Sequence, residues 1–221
     1  MLSSKFKYIF LPILFLAAIL VGADDITMPL EQGWNLISYP PLLEREAEDI
    51  FAPIADNLEV VFMYNASSPG GEWKSYSPDR PAFLNTLTKI DPEYGYWIKM
   101  DNADSLELEW LVPYDRTYNL NIGWNLISSP YMEETNISEA FAPINNRLQS
   151  VFSYDAFDSG NEWKSYNPDR LPFLNTLITL KPERGYWILV NDTMSILHPN
   201  HMCLENALEL TGFEESLIGC S

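Results

Sequence analysis

The chain has 221 residues and is strongly acidic, with 31 Asp and Glu residues against 13 Lys and Arg and a formal net charge of −18. Nucleic-acid phosphates and anionic lipid headgroups repel a polyanion of this size, and no basic patch is visible, so we expect no nucleic-acid partner. Aromatic residues make up 14% of the sequence, far more than a disordered chain carries, so a folded protein of one large or two small domains is predicted.

Residues 1–23 are predicted to be a signal peptide. Lys5 and Lys7 form a positive start, the apolar run YIFLPILFLAAILV follows, and small residues end the segment at Val21–Ala23. An apolar run this short is typical of an export signal, because a membrane-spanning helix needs roughly 20 apolar residues. The alternative is an uncleaved N-terminal membrane anchor. Cleavage removes the two lysines and changes the net charge from −18 to −20, and we expect the remaining chain to be secreted or held at the cell surface, with no further transmembrane segment.

The rest of the chain repeats with a period of 90 residues. Three motifs recur in order: GWNLIS at Gly33 and Gly123, EWKSY at Glu72 and Glu162, and GYWI at Gly95 and Gly185. Of the 68 positions from Gly33 to Met100, 37 are identical to the position 90 residues later. This period exceeds the roughly 20–50 residues of solenoid and propeller repeats and is long enough for a small domain. We therefore predict two tandem homologous domains, at residues 24–113 and 114–200.

Each repeat has the pattern of a small β-rich α+β domain. The runs ITMPL, WNLISYP, LEVVFMY, YWIKM and SLELEWLV are β-prone, and the turn-rich NASSPGG between Tyr64 and Glu72 predicts a hairpin. The segments EREAEDIFAPI and NISEAFAPI each predict one short helix that ends at a proline. Asn136 or Ser138 is the expected N-cap of the second helix. A sandwich and a partly closed barrel both fit this pattern.

The sequence also predicts how the two repeats are joined and where the last strand ends. PYDRTYNL, at residues 113–120, is predicted to be a linker that is too short to separate the domains, so the two domains should touch with an approximate two-fold relation. The counterpart of SLELEWLV in the second repeat is cut short by Pro199.

Residues 201–221 are predicted to be a short helical tail, and the tail contains both cysteines of the chain, Cys203 and Cys220. An isolated cysteine pair in an exported protein favours a disulfide. A zinc site formed by His198, His201 and Cys203, or a pair of free thiols, are the alternatives. With the disulfide as the prediction, no metal and no cofactor is expected.

Three asparagines lie in glycosylation triplets: Asn65, Asn136 and Asn191. A glycan attached to any of them would mark exposed surface in an exported protein. Asn65 is the best candidate because it lies in the predicted hairpin loop, whereas Asn136 competes with its role as a helix cap.

The carboxylates shared by both repeats are the candidates for catalysis: Glu72, Asp79 and Glu93, with Glu162, Asp169 and Glu183. Paired carboxylates hydrolyse glycosidic bonds when their separation is right. The repeat bodies, residues 33–100 and 123–190, contain no histidine, no glycine-rich phosphate loop and no calcium-binding loop, so the usual nucleophilic and phosphate chemistry has no residues to use there. The sequence therefore predicts a protein that is not an enzyme, with a polysaccharide hydrolase as an alternative.

Binding is predicted at the repeated WKSY…PDR segment. The candidate ligand-binding residues are Trp73, Tyr76, Asp79 and Arg80 in the first repeat and Trp163, Tyr166, Asp169 and Arg170 in the second. Aromatic rings stack on sugars and anchor protein interfaces, and nearby polar side chains supply hydrogen bonds. Trp34, Trp97, Trp124 and Trp187 are instead expected in the core, and Phe83, Leu84 and Leu87 are expected to return the chain to it.

The motifs GWNLIS, WKSY and GYWI, in order and twice, resemble a repeat module of bacterial and archaeal cell-surface and secreted proteins. The resemblance covers most of the chain between the signal peptide and the tail, and it implies an exported, envelope-associated protein with no catalytic residues to transfer. We therefore expect a non-enzymatic binding or adhesion module for a glycan or an envelope protein, since two linked weak sites gain avidity. A purely structural envelope module is the further alternative.

Overall fold

The computed structural model describes residues 24–39, 43–110, 116–129, 131 and 133–198. In these ranges the chain is β-rich with few helices, as predicted, and its strands form six sheets, none of which closes on itself. No helix in the same ranges is long and apolar enough to cross a membrane. The signal peptide predicted at residues 1–23 and the tail predicted at 201–221, with its Cys203–Cys220 disulfide, lie outside the described residues.

The first half of the described chain has eight strands and one α-helix, in the order Asp24–Leu30 (β1), Gly33–Ser38 (β2), Arg45–Glu46 (β3), Ala47–Phe51 (α1), Leu58–Asn65 (β4), Glu72–Tyr76 (β5), Lys89–Ile90 (β6), Gly95–Met100 (β7) and Asp104–Trp110 (β8). Strands β2, β7, β4 and β5 form an antiparallel sheet in that order, while β1 pairs with β8 and β3 with β6. The predicted hairpin is confirmed, because β4 pairs with β5.

The second half of the described chain has the same order of elements: Arg116–Leu120 (β9), Gly123–Ile127 (β10), Thr135–Asn136 (β11), Ile137–Ala140 (α2), Leu148–Tyr154 (β12), Trp163–Tyr166 (β13), Thr179–Leu180 (β14), Tyr186–Val190 (β15) and Met194–His198 (β16). Its four-stranded sheet runs β10, β15, β12, β13, which is the order of the first sheet with each strand replaced by its counterpart. The two sheets therefore have one topology.

The predicted linker and the predicted ends of the two helices differ from the structure. Residues 116–120 are not a linker but strand β9, because they pair with β16 as β1 pairs with β8. Both α-helices end before their proline, and the prolines instead lie inside short 3-10 helices at Ala52–Asn57 and Ala142–Ile144. The missing proline N–H is harmless there, because the first turn of a helix leaves its N–H groups unpaired. Asn136 is confirmed as the N-cap of α2, since its side chain accepts a hydrogen bond from the Ser138 amide at 2.9 Å.

Each four-stranded sheet buries one face in a core of its own. Along β7, Tyr96, Ile98 and Met100 are buried while Trp97 and Lys99 are only partly covered, as expected when alternate residues of a strand face opposite ways. The buried face of the first sheet packs against the β1–β8 pair and α1 in one cluster, and the second sheet builds an equivalent cluster with β9, β16 and α2. The other face of each sheet is left outside these cores.

The GWN motif has a structural explanation at the start of β2 and β10. Gly33 and Gly123 have φ angles of +92° and +97°, a left-handed conformation that favours glycine. The buried side chain of Asn35 then accepts a hydrogen bond from the Glu31 amide at 2.9 Å and donates one to the Glu31 carbonyl at 2.8 Å. Asn125 makes the same pair of bonds in the second half. Glycine and asparagine thus fix the turn into each sheet.

The two halves meet through backbone contacts that come in reciprocal pairs. The Ser38 amide donates to the Glu183 carbonyl at 3.0 Å, and the Ser128 amide donates to the Glu93 carbonyl at 3.1 Å. Each donor and acceptor of the second bond lies 90 residues from its counterpart in the first, with the two halves exchanged. The halves therefore touch, as predicted, and the exchange is that of an approximate two-fold relation. We refer to this contact region as the junction.

Glycine at the start of the GYWI motif permits this approach. A Cβ atom on Gly95 would lie 2.7 Å from the Ile127 carbonyl oxygen, and one on Gly185 would lie 2.6 Å from the Ile37 carbonyl oxygen. These distances are shorter than any ordinary carbon–oxygen contact. The motif thus keeps a glycine where the two halves come closest.

Candidate binding cleft

The outer face of each four-stranded sheet is covered with aromatic side chains. Trp97 lies directly opposite Phe62 in the first sheet, and Tyr64 lies directly opposite Trp73. Directly opposite residues of an antiparallel pair point to the same side, so these rings share the face that the core does not use. The first aromatic face consists of Trp34, Phe62, Tyr64, Trp73 and Trp97, and the second consists of Trp124, Phe152, Tyr154, Trp163 and Trp187.

Rings within one face pack mainly edge to face. The Trp34 and Trp97 ring centres are 6.0 Å apart with perpendicular planes, and Phe62 and Trp73 are 6.2 Å apart in the same arrangement. Edge-to-face packing is a favoured geometry for aromatic pairs and contributes about 0.5–1.5 kcal/mol beyond area burial.

The two aromatic faces touch each other across the junction. Trp187 of the second face lies 5.4 Å from Tyr64 and 5.8 Å from Trp73 of the first, measured between ring centres. The reciprocal contacts join Trp97 to Tyr154 at 5.4 Å and to Trp163 at 5.7 Å. The two faces therefore form one continuous aromatic surface, which we refer to as the cleft.

Two pockets lie in the cleft, and aromatic side chains line both. The first pocket has a volume of about 480 Å³ and is lined by Trp34, Phe62, Trp73, Trp97, Tyr154 and Trp163. The second has a volume of about 610 Å³ and is lined by Tyr64, Trp73, Trp124, Phe152, Trp163 and Trp187. Each residue of one lining is the counterpart of a residue of the other, 90 positions away. Trp73 and Trp163 line both pockets, and each pocket takes residues from both halves.

Trp73 and Trp163, which the sequence predicts as ligand-binding residues, lie at the surface, and binding at them stays a prediction. Their side chains are 53% and 54% exposed, and both rings face the cleft. The prediction that the other four repeated tryptophans belong to the core is wrong. Trp34 and Trp124 are 40% and 41% exposed, and Trp97 and Trp187 are half-buried in the cleft. The neighbouring residues of GYWI explain this, because Tyr96 and Ile98 already occupy the core side of β7.

Tyr76 and Tyr166 are not part of a surface site, in contrast to the prediction. Tyr76 is only 7% exposed, and its ring stacks on Phe51 of α1 at 5.8 Å between ring centres. Burial, with a smaller effect from Glu48, raises the pKa of the Tyr76 hydroxyl above its usual range. The alternation of β5 accounts for the error: Trp73 and Ser75 point to the outer face, so Tyr76 points to the core.

The two predicted Asp-Arg pairs lie in turns beside the aromatic faces. Arg80 donates from Nη1 to Ser75 Oγ at 2.9 Å, and Ser75 is directly opposite Phe62 on the first aromatic face. In the second half, Arg170 makes the equivalent bond to Ser165 at 3.2 Å. The guanidinium groups therefore lie beyond the rings, toward the outer edge of each sheet. Asp79 and Asp169 are exposed in the turns, and none of the four residues lines either pocket.

The six shared carboxylates are spread around the structure. Glu72 accepts a hydrogen bond from Ser68 in the hairpin loop, and the backbone carbonyls of Glu93 and Glu183 take part in the junction. Backbone hydrogen bonds, first from the Gly160 amide, lower the pKa of the Glu162 carboxyl. Among the described residues, none of these carboxylates lines either pocket of the cleft.

The three glycosylation triplets lie at surface turns. Asn65 is partly exposed at the end of β4, where its Oδ1 accepts hydrogen bonds from the amide and hydroxyl of Ser67. Asn136 makes the same contacts with Ser138 as it caps α2, and Asn191 is exposed at the turn before β16. Glycosylation at these residues stays a prediction. As for metals, the described ranges contain no cluster of three or more His, Cys, Asp or Glu side chains suited to an ion.

The segment after each Asp-Arg turn carries apolar side chains outward. Phe83 is 84% exposed and Leu84 is also exposed, whereas the prediction placed both in the core. Only Leu87 of that prediction is buried. The Leu84 amide bonds to the Pro81 carbonyl in a short 3-10 turn, which turns the two side chains away from the sheet. The second half repeats this arrangement with exposed Phe173 and Leu174.

No family model, no curated protein and no solved structure matches this chain.

Proposed function

We propose that the chain consists of two homologous domains that act together as an exported, non-enzymatic binding protein for a glycan or an envelope protein. The observation that carries the proposal is the cleft, in which both halves present partly exposed aromatic rings on the face opposite their cores. Export is supported by the N-terminal sequence and by the resemblance to surface-protein repeats.

Exposure of the rings favours binding over a purely structural role. A tryptophan placed only for stability gains most by complete burial, yet Trp73 and Trp163 keep about half of their surface in solvent. Contiguous exposed apolar surface is uncommon on soluble proteins unless it serves an interaction. The ring edges and faces in the cleft are of the kind that stack on sugar rings and anchor protein side chains.

The composition of the two pockets explains why one chain carries the repeat twice. Each pocket combines four rings from one half with two from the other. A single repeat would present only part of each lining. Two adjacent pockets also suit an extended ligand that contacts both at once, which raises affinity without new contacts at either one.

The pocket linings also favour binding over hydrolysis. Retaining and inverting glycosidases place two carboxyl groups on either side of the bond that they cleave. The side chains that line the two pockets are all aromatic, and none of the shared carboxylates is among them. A polysaccharide would be held there without two acids beside it.

A glycan array and a pull-down from cell-envelope extract test the proposal with one pair of variants. The double variant Trp73→Ala, Trp163→Ala removes the two rings that both pockets share. We expect it to weaken binding about 30-fold or more, since loss of even one aromatic hot spot costs about 2 kcal/mol or more. The matched control is Phe83→Ala, Phe173→Ala, which removes two exposed rings outside the cleft. Equal losses in both double variants, or no bound glycan or envelope protein in either screen, would refute the proposal.

A further inference from the structure

In the first aromatic face, the ammonium group of a lysine of the chain packs against a tryptophan ring. Lys99 lies directly opposite Trp34 in the sheet, and its ammonium nitrogen is 5.8 Å from the centre of the Trp34 ring. This distance is within the range of a cation–π interaction. The same ammonium is 2.7 Å from a carboxylate oxygen of Glu59, which accepts its N–H groups.

The second aromatic face lacks this internal cation. Leu189 stands at the position of Lys99 and lies directly opposite Trp124, while Gln149 stands at the position of Glu59. Trp124 itself is packed against Phe152 and Trp187 and is 41% exposed. The two pockets are therefore alike in their rings but differ in the charge beside them.

These differences select a particular kind of ligand group. The second pocket is lined by Tyr64 and five further aromatic residues, so it offers ring faces rather than carboxylates. A primary ammonium carries three N–H groups that need acceptors, and the neutral Gln149 supplies no negatively charged acceptor of the kind that Glu59 gives to Lys99. A quaternary ammonium has no N–H group, and aromatic faces alone satisfy it. The net charge of −18 further attracts cations to the protein.

We infer that the second pocket binds a methylated ammonium group, of the kind carried by choline. This inference rests on the proposed function, in that it names the chemical group of the ligand that the cleft captures. In the first face the Lys99 ammonium, paired with Glu59, already lies over the Trp34 ring, whereas Leu189 leaves Trp124 without such a cation, so the methylated ammonium binds in the second pocket and not in the first.

Calorimetric titration of the full chain with choline tests the inference, with 3,3-dimethylbutan-1-ol as the matched probe. The two molecules have nearly the same shape, but the second replaces the charged nitrogen by carbon. We expect choline to bind at one site per chain and the neutral alcohol to bind at least about fivefold more weakly, because only the cation interacts with the ring quadrupoles. Equal affinity for the two probes would overturn the inference.

Two pairs of variants locate the site. Trp124→Leu is expected to weaken choline binding about tenfold, whereas the equivalent Trp34→Leu in the first half leaves it unchanged. Leu189→Lys places a like charge where Lys99 stands in the first half and is expected to weaken binding about tenfold. Its control, Leu171→Lys, adds the same charge at an exposed position in the turn before the Pro172–Leu174 3-10 helix and keeps the affinity. Equal effects within either pair would overturn the assignment to the second pocket.

The inference and the proposed function fail in different ways. If the Trp73 and Trp163 variant loses a glycan or envelope protein but the unaltered chain does not bind choline, the proposed function stands and the methylated-ammonium inference is wrong. If choline binds as described and the two screens yield no partner, the glycan or envelope protein is the wrong partner class and the inference stands.

Discussion

A single methyl group at Gly185 is expected to open the junction. Gly185→Ala places a Cβ atom 2.6 Å from the Ile37 carbonyl oxygen and 3.0 Å from a methyl carbon of Leu36. The first of these contacts is with backbone, which cannot rotate away as a side chain can. The strand segments on the two sides must therefore move apart.

The free-energy cost of Gly185→Ala comes from the steric contact and from two hydrogen bonds beside it. Relief of the contact requires a shift of roughly 0.5–1 Å, and overpacking of this kind costs about 1–3 kcal/mol. The Gly185 amide donates to the Leu36 carbonyl at 3.3 Å and the Ser38 amide donates to the Glu183 carbonyl at 3.0 Å, and such a shift stretches both bonds. Each contributes about 0.5–1.5 kcal/mol. We expect a loss of about 2–3 kcal/mol from the free energy that holds the halves together.

Urea unfolding followed by tryptophan fluorescence measures this loss. Six of the seven tryptophans lie in the cleft, so separation of the halves changes the emission of the native protein as well as the unfolding midpoint. Gly95→Ala is the reciprocal variant, with its Cβ atom 2.7 Å from the Ile127 carbonyl oxygen, and an equal effect is expected. A native emission spectrum and a midpoint equal to those of the unaltered protein would refute the reasoning.

Gly70→Ala is the control for loss of a glycine without loss of the junction. Gly70 has a φ angle of +81° and open space around its Cβ position, so alanine costs about 1 kcal/mol in backbone strain alone. It lies in the β4–β5 loop and takes part in none of the backbone hydrogen bonds that join the halves. The unfolding midpoint should fall, and the native tryptophan emission should stay the same.

Three further predictions concern the cores and the exposed loops. Burial raises the pKa of the Tyr186 hydroxyl far above its usual value near 10, so the folded protein holds that proton more tightly than the unfolded chain does. Stability should be unaffected below pH 10 and should fall from about pH 10 upward; urea midpoints across that range check this, and Tyr186→Phe should flatten the fall. Asn125→Ala removes the bonds that fix the turn into β10 and should cost about 1–3 kcal/mol in urea unfolding. Phe83→Ser should change the unfolding free energy by less than about 0.5 kcal/mol, because the ring is almost fully exposed.

Local features of the fold were predictable because short segments determine them. The turn residues after Tyr64 predicted the β4–β5 hairpin, and the Asn136 cap predicted the start of α2. The repeat at 90 residues likewise agrees with two sheets of one topology. The length of the helices was less predictable, because a proline shortly after the last helical residue ends the α-helix without ending helical turns altogether.

The orientation of the aromatic side chains was the main error, and only part of it was avoidable. Large aromatic side chains are expected in the core of a small domain. Because alternate residues of a strand face opposite ways, however, either Trp97 or its neighbours Tyr96 and Ile98 can face the core, and the sequence does not say which. Tyr96 is fixed there by its hydroxyl, which accepts from the Asp91 amide at 2.7 Å and donates to the Asp91 carbonyl at 2.8 Å. The meeting of the two aromatic faces was not predictable, because it joins residues that are between 57 and 123 positions apart, through the close approach at Gly95 and Gly185.

The reciprocity of the junction has a consequence for the origin of the cleft. At the junction, contacts between a residue of the first half and a residue of the second recur between their counterparts, with the two halves exchanged. An interface of this kind is isologous, like that of a two-fold symmetric homodimer. A polypeptide with a single repeat therefore carries both partners of each contact and could assemble the whole cleft from two identical copies. Within one covalent chain the two halves can differ at single positions. Lys99 and Leu189 occupy equivalent positions and differ, which two identical subunits cannot do.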